Sequence, residues 1–318
     1  MRVTLPFKAA AAPIAIEGEG EARPERVPRS SPWRLMLREF YESPVAVGAL
    51  AVLVVLILAA VFAPWLTPQN PYDLRSIDLL DALLPPGETS MDGMVFHLGT
   101  DGQGRDMLSA MVYGLRVSIG VGVISCLIAL VVGISVGLAA AFFGGWVETL
   151  LMRLVDLQLS MPSILVALML VAILGQGVDK VVLALVIVQW AYFARTLRGS
   201  AMVERNKEYV EAAIGLDVGR LRVMFTHMLP NALPPLIVVA SVQLASAIAL
   251  EATLSFLGLG VPVTEPSLGM LIANGFQYLL SGRYWISVYP GLLLLVLIAS
   301  LNLVGDQLRD VINPRNRR

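Results

Sequence analysis

Long apolar stretches alternate with short charged segments along this chain of 318 residues. A helix needs about 20 mostly apolar residues to cross a hydrocarbon layer of roughly 30 Å, and six stretches come close to that length. The third contains Asp156 near its start and is kinked by Pro162, and the fourth is short. We therefore predict an all-α integral membrane protein with six transmembrane helices, near residues 45–63, 117–141, 154–174, 181–197, 236–257 and 285–304.

Small residues recur at every fourth position in two of these spans. Such spacing lets helix backbones approach closely in a membrane, so we place both spans inside a bundle. The alternative is that small residues are simply common in membrane helices. The two stripes are Ala129, Gly133, Gly137 and Ala141 in the second span, and Ser241, Ala245, Ala249 and Thr253 in the fifth.

The composition agrees with a membrane protein. The chain is 57% hydrophobic and 15% charged, whereas soluble domains have roughly 45–50% and roughly 25%. Its net charge of −1 offers no basic face, so we expect no nucleic-acid partner. A single cysteine, Cys126, excludes a disulfide within the chain and makes a cysteine-based zinc site implausible.

The distribution of basic residues indicates the orientation of the chain in the membrane. With the N-terminus inside, 18 of the 23 Lys and Arg residues lie in cytoplasmic segments. Since cytoplasmic loops of membrane proteins are enriched in Lys and Arg, we predict that both termini are cytoplasmic. The five basic residues left outside are Arg75, Arg105, Arg116, Lys180 and Arg283.

The pattern also divides the chain into segments. We predict a disordered cytoplasmic tail over residues 1–32, because its short apolar run is interrupted by Pro13 and fits a signal peptide poorly. Apolar residues at helical spacing over 33–42 indicate an interfacial helix, and a basic flank that only sets orientation fits equally well. The first span then covers 43–66, an outer segment 67–116, a five-helix core 117–312 and a cytoplasmic tail 313–318.

Two polar side chains, Gln243 and Glu251, fall inside the fifth span. An ionisable group at membrane depth costs several kcal/mol unless it faces protein or water. Both residues are therefore candidates for the polar lining of a transport pathway. A solvated position at the helix end explains Glu251 equally well. No second carboxylate or histidine lies at helical spacing from it, so nothing indicates a proton relay.

Motifs for catalysis are absent from the sequence. It contains no Walker-type phosphate loop, no H-E-x-x-H zinc helix and no G-x-S-x-G elbow. His97 and His227 fall on opposite predicted sides of the membrane and cannot share a metal. We therefore expect no enzyme activity, no bound metal and no cofactor in this chain itself.

The outer segment ends in a glycine-rich run over residues 98–106. Its glycines are expected to form tight turns, and Asp101 or Asp106 can cap a helix that starts near Met107. A calcium site is a weaker alternative, because the aspartate spacing does not match the twelve-residue calcium loop. We assign a structural role to Gly99, Thr100, Asp101, Gly104, Arg105 and Asp106.

The cytoplasmic segment over about residues 198–230 carries two apolar faces separated by a break at 215–219. We predict two short amphipathic helices, which would lie on the bilayer surface or in a groove of a soluble partner. Composition does not choose between these. The faces are Tyr209, Ala212, Ala213 and Leu216, then Leu221, Met224, Phe225 and Met228.

Four separated motifs resemble one known family. The run Tyr-Val-Glu-Ala-Ala at 209–213, with Leu-Pro-Asn at 229–231, resembles the E-A-A loop of permease subunits of binding-protein-dependent ABC importers. The run at 98–106 resembles the external motif of the dipeptide and oligopeptide permease subfamily, and those at 144–156 and 251–260 resemble its recurrent segments. The likeness covers about residues 43–314.

This resemblance implies a type I ABC importer permease bundle in the bacterial inner membrane. The chain would pair with a homologous second permease and rest on one or two ATPase subunits, which use ATP and Mg²⁺. A periplasmic or lipid-anchored binding protein would deliver di- or oligopeptides. The resemblance assigns the ATPase-coupling loop to Tyr209, Glu211, Ala212, Ala213, Gly215, Asp217, Gly219, Leu229 and Pro230.

The loop departs from the family pattern at Asp217, where a glycine is usual. Glycine permits a positive φ, which Asp tolerates better than most residues. Because Gly215 and Gly219 stand on either side, we expect that the turn has moved by two residues.

Other functions remain open at this point. A self-contained secondary transporter or channel would need a charged relay or broken helices near the midplane. A protein whose loop recruits a soluble partner without transport is a further alternative. Within the family resembled, similar subunits also serve nickel chelates, glutathione and opines.

Overall fold

The computed structural model describes residues 38–73, 75–90, 93–262 and 265–312. In these ranges the regular structure is helical, apart from two isolated bridges in the outer segment. The α-helices are α1 (Pro44–Val61), α2 (Ala63–Leu66), α3 (Met107–Phe143), α4 (Gly145–Ser160), α5 (Ser163–Leu174), α6 (Val178–Arg205), α7 (Glu208–Gly215), α8 (Arg220–Arg222), α9 (Leu229–Ala232), α10 (Pro234–Phe256), α11 (Leu268–Phe276) and α12 (Trp285–Ile312).

Six spans account for the described membrane-spanning part of the chain. Helices α1, α3, α6, α10 and α12 are each long and apolar enough to cross a membrane, and α4 with α5 forms a broken sixth span. The kink predicted at Pro162 is present but is sharper than a kink in one helix: the span consists of two helices bent by 90°, and the first begins at Gly145, before the predicted start at 154. Pro162 has no amide hydrogen and cannot continue α4.

Helix α3 begins at Met107, well before the predicted start of the second span at 117. Asp106 is its N-cap and accepts a hydrogen bond from the Ser109 amide at 2.8 Å, which confirms the proposed cap. The helix has 37 residues and is therefore about 55 Å long at 1.5 Å per residue. It projects beyond the roughly 30 Å hydrocarbon layer.

The small-residue stripe of α3 packs directly on α6. Ala129, Gly133, Gly137 and Ala141 are all buried. A Cβ atom on Gly133 would lie 2.4 Å from the Cβ of Phe193, so only glycine permits this approach. The corresponding stripe of α10 faces α12, where Ser241 approaches Gly305. Both spans therefore lie inside the bundle, as predicted.

The N-terminal segment packs against the last helix. Residues 38–41 are helical, and Phe40 forms a buried cluster with Ala46 and Val311. The remaining part of the predicted interfacial helix, at 33–37, lies outside the described residues, as do the predicted tails at 1–32 and 313–318.

Candidate functional site

Helix α7 lies at one end of the bundle and is attached to it by its own apolar side chains. Val210 and Ala213 are buried in a cluster that also contains Leu138 of α3, Leu197 of α6 and Leu236 of α10. Glu211 and Ala212, on the other side of α7, are exposed. The helix therefore shares one buried cluster with three spans and presents its other side to solvent.

The apolar face predicted for α7 is divided between the interior of the chain and its surface. Of its members, Ala213 is buried, but Ala212 is exposed and Leu216 is 80% exposed. Both sides of this short helix carry apolar residues, so periodicity alone could not identify the packed side. Its packing against the following segment places Val210 and Ala213 inward.

The segment after α7 also differs from a simple second helix. Helix α8 continues into a π-helix at Val223–Met228 and then into α9. Met224 and Met228 are buried within the chain, whereas Leu221 and Phe225 are 69% and 52% exposed. Of the two residues assigned to the end of the loop, Leu229 packs against the cluster and Pro230 is exposed.

Four apolar side chains near α7 remain without a covering contact in the described part of the chain. We call them the loop surface. Exposed apolar residues that cluster at one place commonly mark a contact with another protein or a membrane. The loop surface consists of Ile214 at 54% exposure, Leu216, Leu221 and Phe225.

The turn after α7 is formed by Asp217 itself, and the expectation that the turn has moved is wrong. Asp217 has φ of 57°, in the left-handed region. Its amide donates to the Ile214 carbonyl at 3.0 Å, and the Val218 amide donates to the Ala213 carbonyl at 3.1 Å, which is the Schellman pattern of a helix end. Gly215 lies in the last turn of α7, and Gly219 has φ of −51°.

A polar cluster that the sequence pattern did not reveal fixes the start of α7. The Tyr209 hydroxyl donates to Glu204 Oε2 at 2.6 Å and accepts from Asn231 Nδ2 at 3.2 Å. Lys207 Nζ donates to Glu204 Oε1 at 2.7 Å. Tyr209 thus joins α6, α7 and α9. The three-residue spacing of Glu204 and Lys207 could have indicated their ion pair from sequence. The contact of Tyr209 with Asn231 could not be read from local spacing, because the two residues are 22 positions apart.

Electrostatics keep this cluster in one protonation state near neutral pH. Burial, and then the hydrogen bond to Glu204, raises the pKa of the Tyr209 hydroxyl. The same carboxylate, through its hydrogen bond, raises the pKa of the Lys207 ammonium. Both groups therefore remain protonated donors, and Glu204 accepts from both.

The glycine-rich outer run forms a compact buried corner. Gly99 and Gly104 have φ of 79° and 78°, and a Cβ on Gly104 would lie 2.1 Å from the Asp78 carbonyl oxygen. Asp101 and Arg105 form an ion pair at 2.7 Å in which both side chains are 2% exposed. The Thr100 hydroxyl donates to the Asp81 carbonyl at 2.6 Å. These contacts suit the structural role assigned to the run.

The two polar residues of the fifth span are buried within the chain. Glu251 is fully buried, and its two carboxylate oxygens accept from the hydroxyls of Ser118 and Ser255, each at 2.8 Å. The solvated helix-end interpretation of Glu251 is therefore wrong. Gln243 is 8% exposed, and its main-chain carbonyl accepts from Gln189 Nε2 at 2.9 Å. Their assignment to a pathway stays a prediction.

Comparison with known families finds two matches. Residues 108–318 match the family described as binding-protein-dependent transport system inner membrane component. Residues 31–86 match the N-terminal TM domain of oligopeptide transport permease C.

Named relatives are similar over most of their length. The di/tripeptide transport system permease protein DppC of Pseudomonas aeruginosa is 39% identical over 90% of this chain and 93% of its own. The dipeptide transport system permease protein DppC of Escherichia coli is 39% identical over 85% of this chain and 89% of its own.

Among solved structures, an inward-facing MetNI methionine ABC transporter matches with a TM-score of 0.52 and 20% identity. The match covers 64% of this chain and 97% of that one. At this identity, the likeness supports the fold alone.

Proposed function

The chain belongs to the family of binding-protein-dependent transport system inner membrane components, and we propose that it imports dipeptides or oligopeptides as one permease subunit of an ATP-driven complex. The peptide substrate rests on relatives named as dipeptide and di/tripeptide permeases. The observation that carries the ATP-driven part is the loop: the buried side of α7 belongs to one cluster with three spans, and Glu211 and the loop surface are exposed.

We assign the exposed side of α7 to an ATPase subunit. Ala212 has a small side chain and allows close approach, Glu211 offers hydrogen-bond acceptors, and the apolar loop surface surrounds them. The ATPase would bind the ATP and Mg²⁺ that the complex uses, which agrees with the missing phosphate loop. A homologous second permease and an external binding protein complete the proposed assembly in the bacterial inner membrane.

The attachment of α7 suggests how ATPase motion reaches the spans. Its buried residues share one cluster with α3, α6 and α10, and the Tyr209 hydrogen bonds fix its first turn. Closely packed interiors transmit displacement. ATPase closure would therefore move α7 and these spans together and open a central cavity outward, and ATP hydrolysis would restore the inward state.

A charge reversal at Glu211 tests this assignment. We expect Glu211→Lys to reduce ATP-dependent peptide uptake at least tenfold in proteoliposomes, because a cation replaces the acceptor, while the protein remains in the membrane. Glu211→Gln is the matched control, since it keeps an acceptor oxygen and should retain most uptake. Undiminished uptake by Glu211→Lys would contradict the assignment.

Purification separates the alternative functions, and competition separates the substrate classes. We expect ATPase subunits and a second permease to copurify with the chain in detergent; gradient-driven flux by the chain alone would indicate a secondary transporter or channel.

Competition of labelled dipeptide uptake by unlabelled dipeptides, but not by nickel chelates, glutathione or opines, would support the peptide class.

A further inference from the structure

The broken span exposes its break on the surface of this chain. Helix α4 ends at Ser160 and α5 begins at Ser163, and the two meet at 90°. Ser160, Met161 and Pro162 are all exposed, and α5 starts without a side-chain N-cap. The break therefore leaves backbone and hydroxyl groups on the outside of the bundle.

The packing of α4 on α6 relates this break to the inner membrane boundary that the sequence predicts. Leu159, just before the break, packs in the same cluster as Trp190 of α6. Trp190 lies five residues before Arg195, or about 7.5 Å along α6 from that charged residue. Helix α5 has 12 residues and is about 18 Å long. With Arg195 at the predicted inner boundary, the break lies about 7.5 Å inside the hydrocarbon layer.

Irregular backbone at this depth cannot face lipid, because lipid offers no hydrogen-bond partners. It is tolerated only where it is covered by protein or lines a water-filled cavity. The polar residues of the span favour water. After Asp156, the segment from 157 to 174 contains three polar side chains, and all of them lie at or beside the break: Gln158, Ser160 and Ser163.

Helix α4 carries a polar stripe that leads to the break. Thr149, Arg153, Asp156 and Ser160 follow one another at spacings of four, three and four, so they share one face of the helix, and all four are exposed. A separate exposed stripe on the same helix is apolar throughout. It contains Trp146, Leu150, Leu154 and Leu157.

The two exposed stripes differ in what they can face. The apolar stripe suits lipid, whereas ionisable residues within a span normally face a water-filled cavity or protein. Beside the polar stripe is a groove of about 650 Å³ between α4 and α6, lined by Glu148, Asp156, Arg195 and Arg198 among others. Asp156 pairs with Arg195, and Glu148 pairs with Arg198. These pairs leave the groove wet and partly charge-compensated.

We propose that the polar stripe of α4, ending at the break after Ser160, is a water-lined wall of the inner half of the translocation pathway. This inference rests on the proposed function. The passing molecule is a hydrated peptide. A wall of hydroxyls and paired charges can hydrogen-bond peptide groups without selecting one side chain or one net charge, which suits a permease that passes peptides of different sequence.

Cysteine reactivity tests whether the polar stripe of α4 faces water at Ser160. Ser160→Cys and Leu157→Cys are each introduced into a Cys126→Ala chain. The full complex is then assembled, reconstituted and treated with a charged, membrane-impermeant maleimide. Thiols react as thiolates, which require water. We expect Ser160→Cys to react at least tenfold faster than Leu157→Cys, its matched control on the apolar stripe, and to slow when the ATPases are trapped with nucleotide.

A bulky side chain provides a second readout. We expect Ser160→Trp to lower peptide uptake at least tenfold in a complex that still assembles, while Leu157→Trp retains at least half. Equal, slow labelling of both cysteines in a complex that transports peptide would overturn this inference and leave the proposed function intact. Absence of ATP-driven peptide uptake by the unmodified complex would overturn both.

Discussion

Asp217 shows how one residue can hold a turn that glycine usually forms. Its φ of 57° costs an ordinary side chain roughly 1–2 kcal/mol, and Asp is among the residues that tolerate it best. Both hydrogen bonds of the helix end are present, at 3.0 and 3.1 Å. The loop after α7 therefore keeps its turn in place, and the aspartate in place of glycine affects the strain of the turn and not its position.

Replacing Asp217 tests this description. We expect Asp217→Gly to keep full uptake and to raise the stability of the complex by up to about 1 kcal/mol, because the left-handed strain is removed. Asp217→Val should lower stability, since a β-branched residue fits positive φ poorly. Thermal unfolding of the purified complex gives both values.

Gly219→Ala is the control for the turn position. Gly219 has negative φ, and nothing lies within 4 Å of a Cβ built there, so we expect an unchanged melting temperature. A large loss of stability in Gly219→Ala, with none in Asp217→Val, would show that the turn lies two residues further along.

Glu251 illustrates a polar residue that depends on distant partners. Ser118, which donates to one of its oxygens, lies 133 residues away in α3, while Ser255 is one turn further along α10. The carboxylate joins two spans in the interior of the bundle. Burial without hydrogen bonds would be costly at this depth, so the serines account for its presence.

At the scale of elements, the contact of α3 with α6 depends on missing side chains. Backbone atoms of Trp190 and Ala194 lie within 3 Å of the Cβ positions of Gly133 and Gly137. Close approach of this kind stabilises helix pairs in membranes, where burial from water contributes little. The two glycines therefore set the distance between the two helices with the most extensive contact.

A methyl group at Gly133 tests this contact. We expect Gly133→Ala to destabilise the complex by about 1–3 kcal/mol, as overpacking does in protein cores. Gly120→Ala, in the same helix, is the control, because nothing lies within 4 Å of its Cβ position, and it should be neutral or slightly stabilising. Equal melting temperatures for the two variants would contradict the close contact.

The elements around α7 are likewise joined by packing, in one buried cluster. Helix α7 is short, with eight residues, and isolated helices of that length are unstable in water. Its order therefore comes from the cluster beneath it and from the Tyr209 hydrogen bonds. An element held this way can pass a displacement to the spans.

At the scale of the whole molecule, six spans would leave the two ends of the described part of the chain on one side of the membrane. We propose that this side is the cytoplasm, because most Lys and Arg residues lie in the segments assigned to it. Helix α7 then faces the ATPase, and the buried corner around Asp101 and Arg105 faces outward.

Two single cysteines test this orientation. In a Cys126→Ala chain we expect a membrane-impermeant maleimide to label Glu88→Cys, in the outer segment, from outside the inner membrane. Glu42→Cys, just before α1, should be labelled only in inverted vesicles. Both positions are exposed. Labelling of Glu42→Cys from outside would reverse the topology.

Much of the fold could be predicted because the relevant signals are local. Apolar length identified all six spans, the small-residue stripe identified the α3 face, and Asp106 identified the start of α3. The third span could not be predicted as two helices at 90°: Pro162 indicates a kink, but only the packing of α4 against α6 sets the angle.

By itself, the sequence determined the membrane class, the number of spans and the family, since each follows from composition, periodicity or adjacent residues. Only the tertiary structure decided which face of α7 is buried, that Asp217 takes the left-handed turn, and that Ser160 opens onto the surface. Hydrophobic burial has no direction of its own, so a short helix with apolar residues on both sides is oriented by its neighbours. Those neighbours are the adjacent π-helix and α6, together with cluster members from α3 and α10 further away in the chain.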